Sequence, residues 1–180
     1  MARQVTDSPD EQTHVRGFFR TSEKDARPLK DVYRGPWGLL GLCSLAETFP
    51  DHGDAQRWRA AIRMYCGEYL VPMARRNGFG IVPYGMYTGE SPGGRRVGRY
   101  GYRWFMECNP NYWVGINSNV ASAGVGLTRA ARLLKEPAWT ALAQRQLDWI
   151  LGVNPFDAST MEDVGRNQPA IDAESQRIEF

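Results

Sequence analysis

Histidine and cysteine are scarce in this chain, which disfavours several kinds of site. Among 180 residues there are two histidines and three cysteines, Cys43, Cys66 and Cys108, with no Cys-x-x-Cys pair. Zinc ribbons and thioredoxin-type redox sites use such pairs, so we expect no metal site and no cofactor. Cys43 and Cys66 lie among apolar residues at helical spacing, which favours small buried hydrophobes over reactive thiols.

Long apolar runs and an excess of one charge are also missing. No stretch approaches the roughly 20 apolar residues of a membrane-spanning helix. The amino-terminal residues lack the apolar centre of a signal peptide. Lys and Arg total 22 against 20 Asp and Glu, a net charge of +2, so charge makes no case for nucleic acid or an anionic membrane. We therefore predict neither partner, and a cytoplasmic location.

The composition is that of a folded chain. Hydrophobic residues make up 42% and the aromatic residues include six Trp and eight Tyr, enough for one compact domain or a large piece of a bigger one. Residues 1–30 are polar and predict an extended lead-in, with Phe18-Phe19 as its one apolar anchor. Residues 31–168 carry the helical pattern, and 169–180 predict an irregular tail.

Apolar residues recur at three- and four-residue steps in four segments. Pro36 suits a first helical position, Asp54 a helix N-cap, and Gly152 a helix end, while Pro72 is expected to end or bend the second helix near Leu70. The third segment begins with Gly, Ser and Ala, which favour close packing between helices. The predicted helices lie at about 36–49, 54–71, 115–134 and 137–151.

The four helices form an internal repeat of two helical hairpins. A shift of 81 residues along the sequence places Trp58 on Trp139 and Cys66 on Leu147. One such hairpin exposes an apolar face that only further hairpins can bury. Two hairpins are fewer than such arrays use, so the chain is expected to be incomplete or to self-associate.

One run of residues resembles a known family. The segment Leu147-Asp-Trp-Ile-Leu-Gly-Val-Asn-Pro155, followed by Val164-Gly-Arg-Asn167, resembles the late helix and loop of six-hairpin glycosidases, most closely glycoside hydrolase family 9. The stretch Trp113-x-Gly-x-Asn117-Ser-Asn119 is similar to the preceding hairpin of that family. The resemblance covers about residues 100–168, and residues 30–75 only by their hairpin pattern.

The resemblance implies an all-α fold, the (α/α)6 toroid of six inner and six outer helices. This chain would hold about two of its later hairpins, joined by a long aromatic, Gly-rich loop over residues 77–113. Within that loop Ile81 to Tyr87 predicts a short strand and Ser91 to Gly94 a turn, as in a β-hairpin. The implied activity is hydrolysis of O-glycosidic bonds in a β-linked glucan, with inversion.

Two departures separate the chain from that family. Its Asp-Ala-Gly-Asp motif, which supplies the catalytic base, does not occur here, and neither does the His-rich motif that precedes its general acid. Glu174 and Glu179 lie in the tail without a motif to place them. Because hydrolysis needs two carboxylates flanking the bond, we expect the chain alone to be inactive. An interrupted reading frame is one explanation.

The candidate binding residues cluster in and after the long loop. Trp and Tyr rings cover the apolar face of a sugar, while Asn and Arg bond its hydroxyls. The alternative is that these rings pack beneath the loop. Glu107 is the one acid between Glu90 and Glu136; it is either a cleft carboxylate or a surface residue beside Arg103, so the catalytic residues stay unknown. The predicted saccharide-binding residues are Trp104, Trp113, Tyr102, Tyr112, Asn117, Asn119 and Arg103.

Two other functions remain open. The chain could be a non-catalytic carbohydrate-binding or self-assembling helical module, a homo-oligomer that covers its own exposed helices. It could also be another (α/α)6 enzyme, such as a sugar epimerase or a polysaccharide lyase, which work through His, or Tyr and Arg. His14 and His52 are the only histidines, one in the polar lead-in and one in a turn, which disfavours the second alternative.

Overall fold

The protein is mainly helical. Helices account for 44% of the chain, and a small three-stranded antiparallel sheet accompanies them. The prediction of a mainly helical class is confirmed, although the expected all-α fold must be widened to include the sheet. The structure, a computed structural model, describes residues 3–12, 14–29, 36–89, 95–105, 116–168, 170–172 and 177–179.

The helices match the predicted segments closely, because helical periodicity is a local property of the sequence. The second helix differs: it continues past the predicted end near Pro72. Proline has no N–H for the carbonyl of Glu68, and that carbonyl instead accepts the N–H of Arg16 at 2.9 Å. The helical segments are α1 Trp37–Thr48, α2 Ala55–Tyr65, a π-helical turn Cys66–Leu70, α3 Val71–Ala74, α4 Asn117–Leu134 and α5 Pro137–Ile150.

Two helical hairpins form the body of the fold. Helix α1 packs on α2, α4 packs on α5, and the hairpins meet where α1 contacts α4. Small residues allow this close contact, as predicted for the first half of α4. A Cβ added at Gly126 would lie 2.9 Å from Cδ2 of Leu39, and one at Gly124 would lie 3.4 Å from the carbonyl oxygen of Ala143.

The long loop contains a sheet rather than only a hairpin. Strands β1 Gly85–Thr88, β2 Arg96–Val97 and β3 Tyr100–Arg103 are antiparallel in the order β1-β3-β2. The predicted strand from Ile81 begins only at Gly85. The N–H of Val82 bonds instead to the side chain of Gln146 at 3.1 Å, so this stretch is held by α5 and not by a neighbouring strand.

The tail and the N-cap of α2 also differ from prediction. Strands β4 Ala170–Asp172 and β5 Arg177–Glu179 pair antiparallel, so 169–180 is not wholly irregular; three-residue strands are too short to show alternation in a sequence. Asp54 occupies the N-cap position without a capping bond. Its carboxylate accepts a 2.8 Å bond from Arg57 instead.

The lead-in belongs to the core. Val5 and Val15 are buried with Phe18, so Phe18-Phe19 is not its one apolar anchor. Gln4, also buried, donates hydrogen bonds to the carbonyls of Gly17 and Ala61, each at 2.9 Å. The bond to Ala61 fastens the lead-in to the first hairpin.

Two features are missing from the described residues. None of the helices found there has the length and apolar character to cross a bilayer. No group of three His, Cys, Asp or Glu side chains comes together there as a metal site requires.

Candidate functional site

An aromatic cavity lies between the lead-in, the second helix, β1 and α4. Its volume is about 70 Å³, room for roughly two water molecules. A larger ligand would therefore lie across its mouth, against side chains that are only half-buried. We call this site the aromatic cavity; its rings are those of Phe18, Phe19, Tyr65, Tyr69, Tyr84 and Trp104. Ile116, at the N-cap of α4, and Asn119, Val120 and Ala123 of α4 also line it.

The second helix supplies two of the rings where its geometry changes. Tyr65 is the last residue of α2, and Tyr69 lies in the π-helical turn. Their rings meet edge to face at 5.3 Å, and Phe19 of the lead-in stacks on Tyr65 at 4.8 Å. Single π-helical turns are frequent at functional sites, so the turn and the cavity occur together at this point of the chain.

The cavity wall formed by these tyrosines is neutral. Loss of water around the phenolate raises the pKa of both Tyr65 and Tyr69 well above the ordinary value of 10. Both hydroxyls therefore stay protonated at neutral pH. They can take part in hydrogen bonds, but they cannot serve as bases.

Two of the predicted binding residues line the cavity directly. Trp104 and Asn119 contribute a half-buried ring and an amide to its wall. Tyr102 is buried behind Trp104, edge to face at 5.2 Å, so it supports that ring. Arg103 places its guanidinium 5.1 Å from the ring centre of Tyr87 and does not line the cavity.

Asn117 is bonded to the loop after α5. Its side-chain amide donates to the hydroxyl of Thr160 at 2.8 Å and to the Thr160 carbonyl at 3.3 Å. This ties the start of α4 to the loop after α5 and occupies the amide. Trp113, Tyr112 and Glu107 lie outside the described residues.

Asn154, from the Asn-Pro pair, organises that same loop. Its amide nitrogen donates to the carbonyls of Trp149 at 2.9 Å and Ala158 at 2.8 Å. Its oxygen accepts the N–H of Phe156 at 3.0 Å. Through the bond between Asn117 and Thr160, the two segments that carry the family resemblance meet in space.

The sequence missed the rings that come from elsewhere in the chain. Tyr65 and Tyr69 are four residues apart on one helix face, and that spacing alone indicates core packing. For Phe19 the sequence predicts only an anchor of the lead-in. The signal available was weak: an apolar pair in a polar segment implies a partner surface, but not which one.

The described residues that line the cavity include no carboxylate and no histidine. His52 stacks on Trp58 with ring centres 4.9 Å apart, and its Nδ1 accepts the N–H of Asp54 at 3.0 Å. His14 is exposed in the lead-in. The arrangement suits binding of an uncharged ligand.

Comparison with protein-family models found no match, and a search of curated proteins found none either. Fold and site together define a mainly helical protein with a neutral aromatic cavity.

Proposed function

We propose that this protein is a glycoside hydrolase-like domain of the six-hairpin class, which binds an oligosaccharide at the aromatic cavity and does not hydrolyse it alone. One observation carries the proposal. Trp104, half-buried and backed by Tyr102, lines the cavity together with Asn119. An aromatic ring and an amide side chain are the residue types that match the two surfaces of a sugar.

The helical arrangement supports the partial toroid. Two hairpins with a Trp-bearing second helix pack together through their first helices, α1 and α4. Repeated hairpins in lateral contact are the unit from which such a ring is built. Both Asn117 and Asn154, in the segments that resemble the family, hold the connection after α5 in place.

We propose no hydrolysis by this chain alone, because its cavity lacks the required acid and base among the described residues. The described wall of the cavity carries no carboxylate, while the reaction needs one acid and one base. Glu107 stays a candidate from the sequence. An epimerase or lyase that works through His is disfavoured, because His52 is engaged with Trp58 and Asp54, away from the cavity.

The test is calorimetric titration with cellotetraose and xylotetraose. We expect one of them to bind, and Trp104→Ala to weaken that binding at least about tenfold, since the stacked ring is lost. Phe156→Ala is the matched control, because Phe156 is 68% exposed and lies outside the cavity wall. Its affinity should equal that of the wild type.

Two results would contradict the proposal. If neither tetrasaccharide binds, or if both variants lose affinity equally, the cavity is not a saccharide site. Release of the chromophore from a chromogenic cellobioside or xylobioside by the purified chain would show that it carries its own acid and base.

A further inference from the structure

A second cleft lies between the lead-in and the turn that joins β2 to β3. Its volume is about 470 Å³, within the range of small-molecule sites, and no described residue lines both it and the aromatic cavity. The lead-in meets the turn so closely that a Cβ added to Gly98 would collide with the carbonyl oxygen of Pro9. We call this site the lead-in cleft; its lining includes Gln4, Asp7, Arg20, Arg99 and Tyr100.

Two polar atoms of the cleft residues are buried without a hydrogen bond in the described part of the chain. They are the side-chain oxygen of Gln4, a residue only 3% exposed, and Nε of Arg20. The Gln4 amide cannot exchange its two ends, because its nitrogen donates to the carbonyls of Gly17 and Ala61, and an oxygen there would face two acceptors. Buried polar groups are as a rule hydrogen-bonded. An acceptor and a donor of this cleft therefore lack partners that the chain does not supply.

Charged side chains of both signs also line the cleft. Asp7 and Arg99 are exposed, and Arg20 is half-buried. The guanidinium of Arg99 lies 5.2 Å from the ring centre of Tyr100, a buried residue that lines the same cleft. Among the described residues neither guanidinium pairs with a carboxylate, and no cation pairs with Asp7. These charges therefore remain open to a ligand.

The two kinds of group that lack partners define the ligand. A guanidinium binds a carboxylate through its N–H donors, whereas the oxygens of Gln4 and Asp7 need a donor. A phosphate ester offers acceptors alone and would leave the Gln4 oxygen without a bond, and a simple amine would leave Nε of Arg20 without one. We propose that the lead-in cleft binds a free α-amino acid. Its carboxylate bonds to the two arginines, and its ammonium group bonds to Gln4 and Asp7.

The first test is thermal unfolding of the whole chain with each natural amino acid in turn, at about 10 mM. We expect at least one of them to raise the unfolding temperature, since a ligand that binds the folded chain stabilises it. Calorimetric titration then gives the affinity for that amino acid. Its N-acetyl derivative and its methyl ester should each bind at least about tenfold more weakly, because each lacks one of the two charges.

Two substitutions at exposed positions separate the roles of the charges and leave the buried lining intact. Arg99→Gln should weaken binding of the amino acid at least about tenfold. Asp7→Asn should weaken it as much, but should leave the affinity for the corresponding 2-hydroxy acid unchanged, because a hydroxyl group carries no charge for Asp7 to bind. Arg75→Gln and Asp51→Asn are the matched controls, since both residues are exposed and lie outside the cleft. Their affinities should equal that of the wild type.

Three results would overturn the proposal. If no amino acid raises the unfolding temperature at about 10 mM, the buried groups of Gln4 and Arg20 bind only water. If Arg99→Gln and Asp7→Asn both bind like the wild type, the amino acid binds elsewhere. If the wild type binds the 2-hydroxy acid as tightly as the amino acid, no ammonium group is recognised. None of these results bears on saccharide binding at the aromatic cavity, which is lined by other residues.

Discussion

Burial sets the protonation of ionisable side chains at the centre of this protein. Loss of water raises the pKa of Cys43 to about 11, from an ordinary 9.0, and raises that of Cys66 as well. Both thiols are free and buried in the core between the hairpins. The sequence-based view of these cysteines as small hydrophobes is confirmed by their burial, and thiolate chemistry at neutral pH is disfavoured.

This shift predicts a loss of stability in alkaline solution. Above pH 9 the thiol of Cys43 ionises in the unfolded chain before it does so in the folded protein. The free energy of unfolding should therefore fall as pH rises from 9 towards 11. Urea unfolding at pH 7 and at pH 10 measures the decrease in the free energy of unfolding between the two. We expect this decrease to be smaller by about 1 kcal/mol in Cys43→Ala than in the wild type. Identical drops would mean that Cys43 titrates normally.

Single elements are joined by buried side-chain amides. Gln146 of α5 is fully buried; it accepts from the N–H of Val82 and donates to the carbonyls of Gly80 and Leu142 at 2.9 and 2.8 Å. The helical periodicity placed Gln146 on the inner face of α5, but it could not show what the amide binds. Two of its three partners, Gly80 and Val82, lie in a loop 66 and 64 residues away in the sequence.

Replacing the Gln146 side chain should therefore lower the free energy of unfolding more than its position on a helix suggests. Gln146→Leu leaves a buried N–H and a buried carbonyl without their partner, so the free energy of unfolding should fall by about 2 kcal/mol or more. Gln144→Leu removes only an exposed bond to Asp148 and should change it by less than about 0.5 kcal/mol. Urea denaturation of the two variants makes the comparison; equal effects would show that the bonds to segment 80–82 contribute little.

The lead-in completes the whole molecule by wrapping one wall of the aromatic cavity. It passes α2 most closely at Gly17, whose φ is +90° and where an added Cβ would lie 2.6 Å from the carbonyl oxygen of Met64. No other residue type fits both the conformation and the space. From there the chain continues to Phe18 and Phe19, which line the cavity.

A methyl group at Gly17, where the lead-in crosses α2, should destabilise the whole protein. Gly17→Ala is expected to lower the free energy of unfolding by about 2 kcal/mol or more, through a strained φ and a backbone clash. Gly53→Ala, in a turn with open space around its Cα, should stay within about 0.5 kcal/mol of the wild type. Thermal and urea unfolding measure both, and a neutral Gly17→Ala would mean that the lead-in is not packed on α2.

The sequence by itself determined the four helical segments, the pairing into hairpins and the candidate residues Trp104 and Asn119, because helix periodicity and loop composition are local properties. The tertiary structure decided which of the remaining residues share a site. Tyr69 lines the cavity from a π-helical turn that continues α2, and Phe19 lines it from the lead-in, which crosses α2 at Gly17. Contacts between residues far apart in the chain depend on how the elements pack, which no local pattern records.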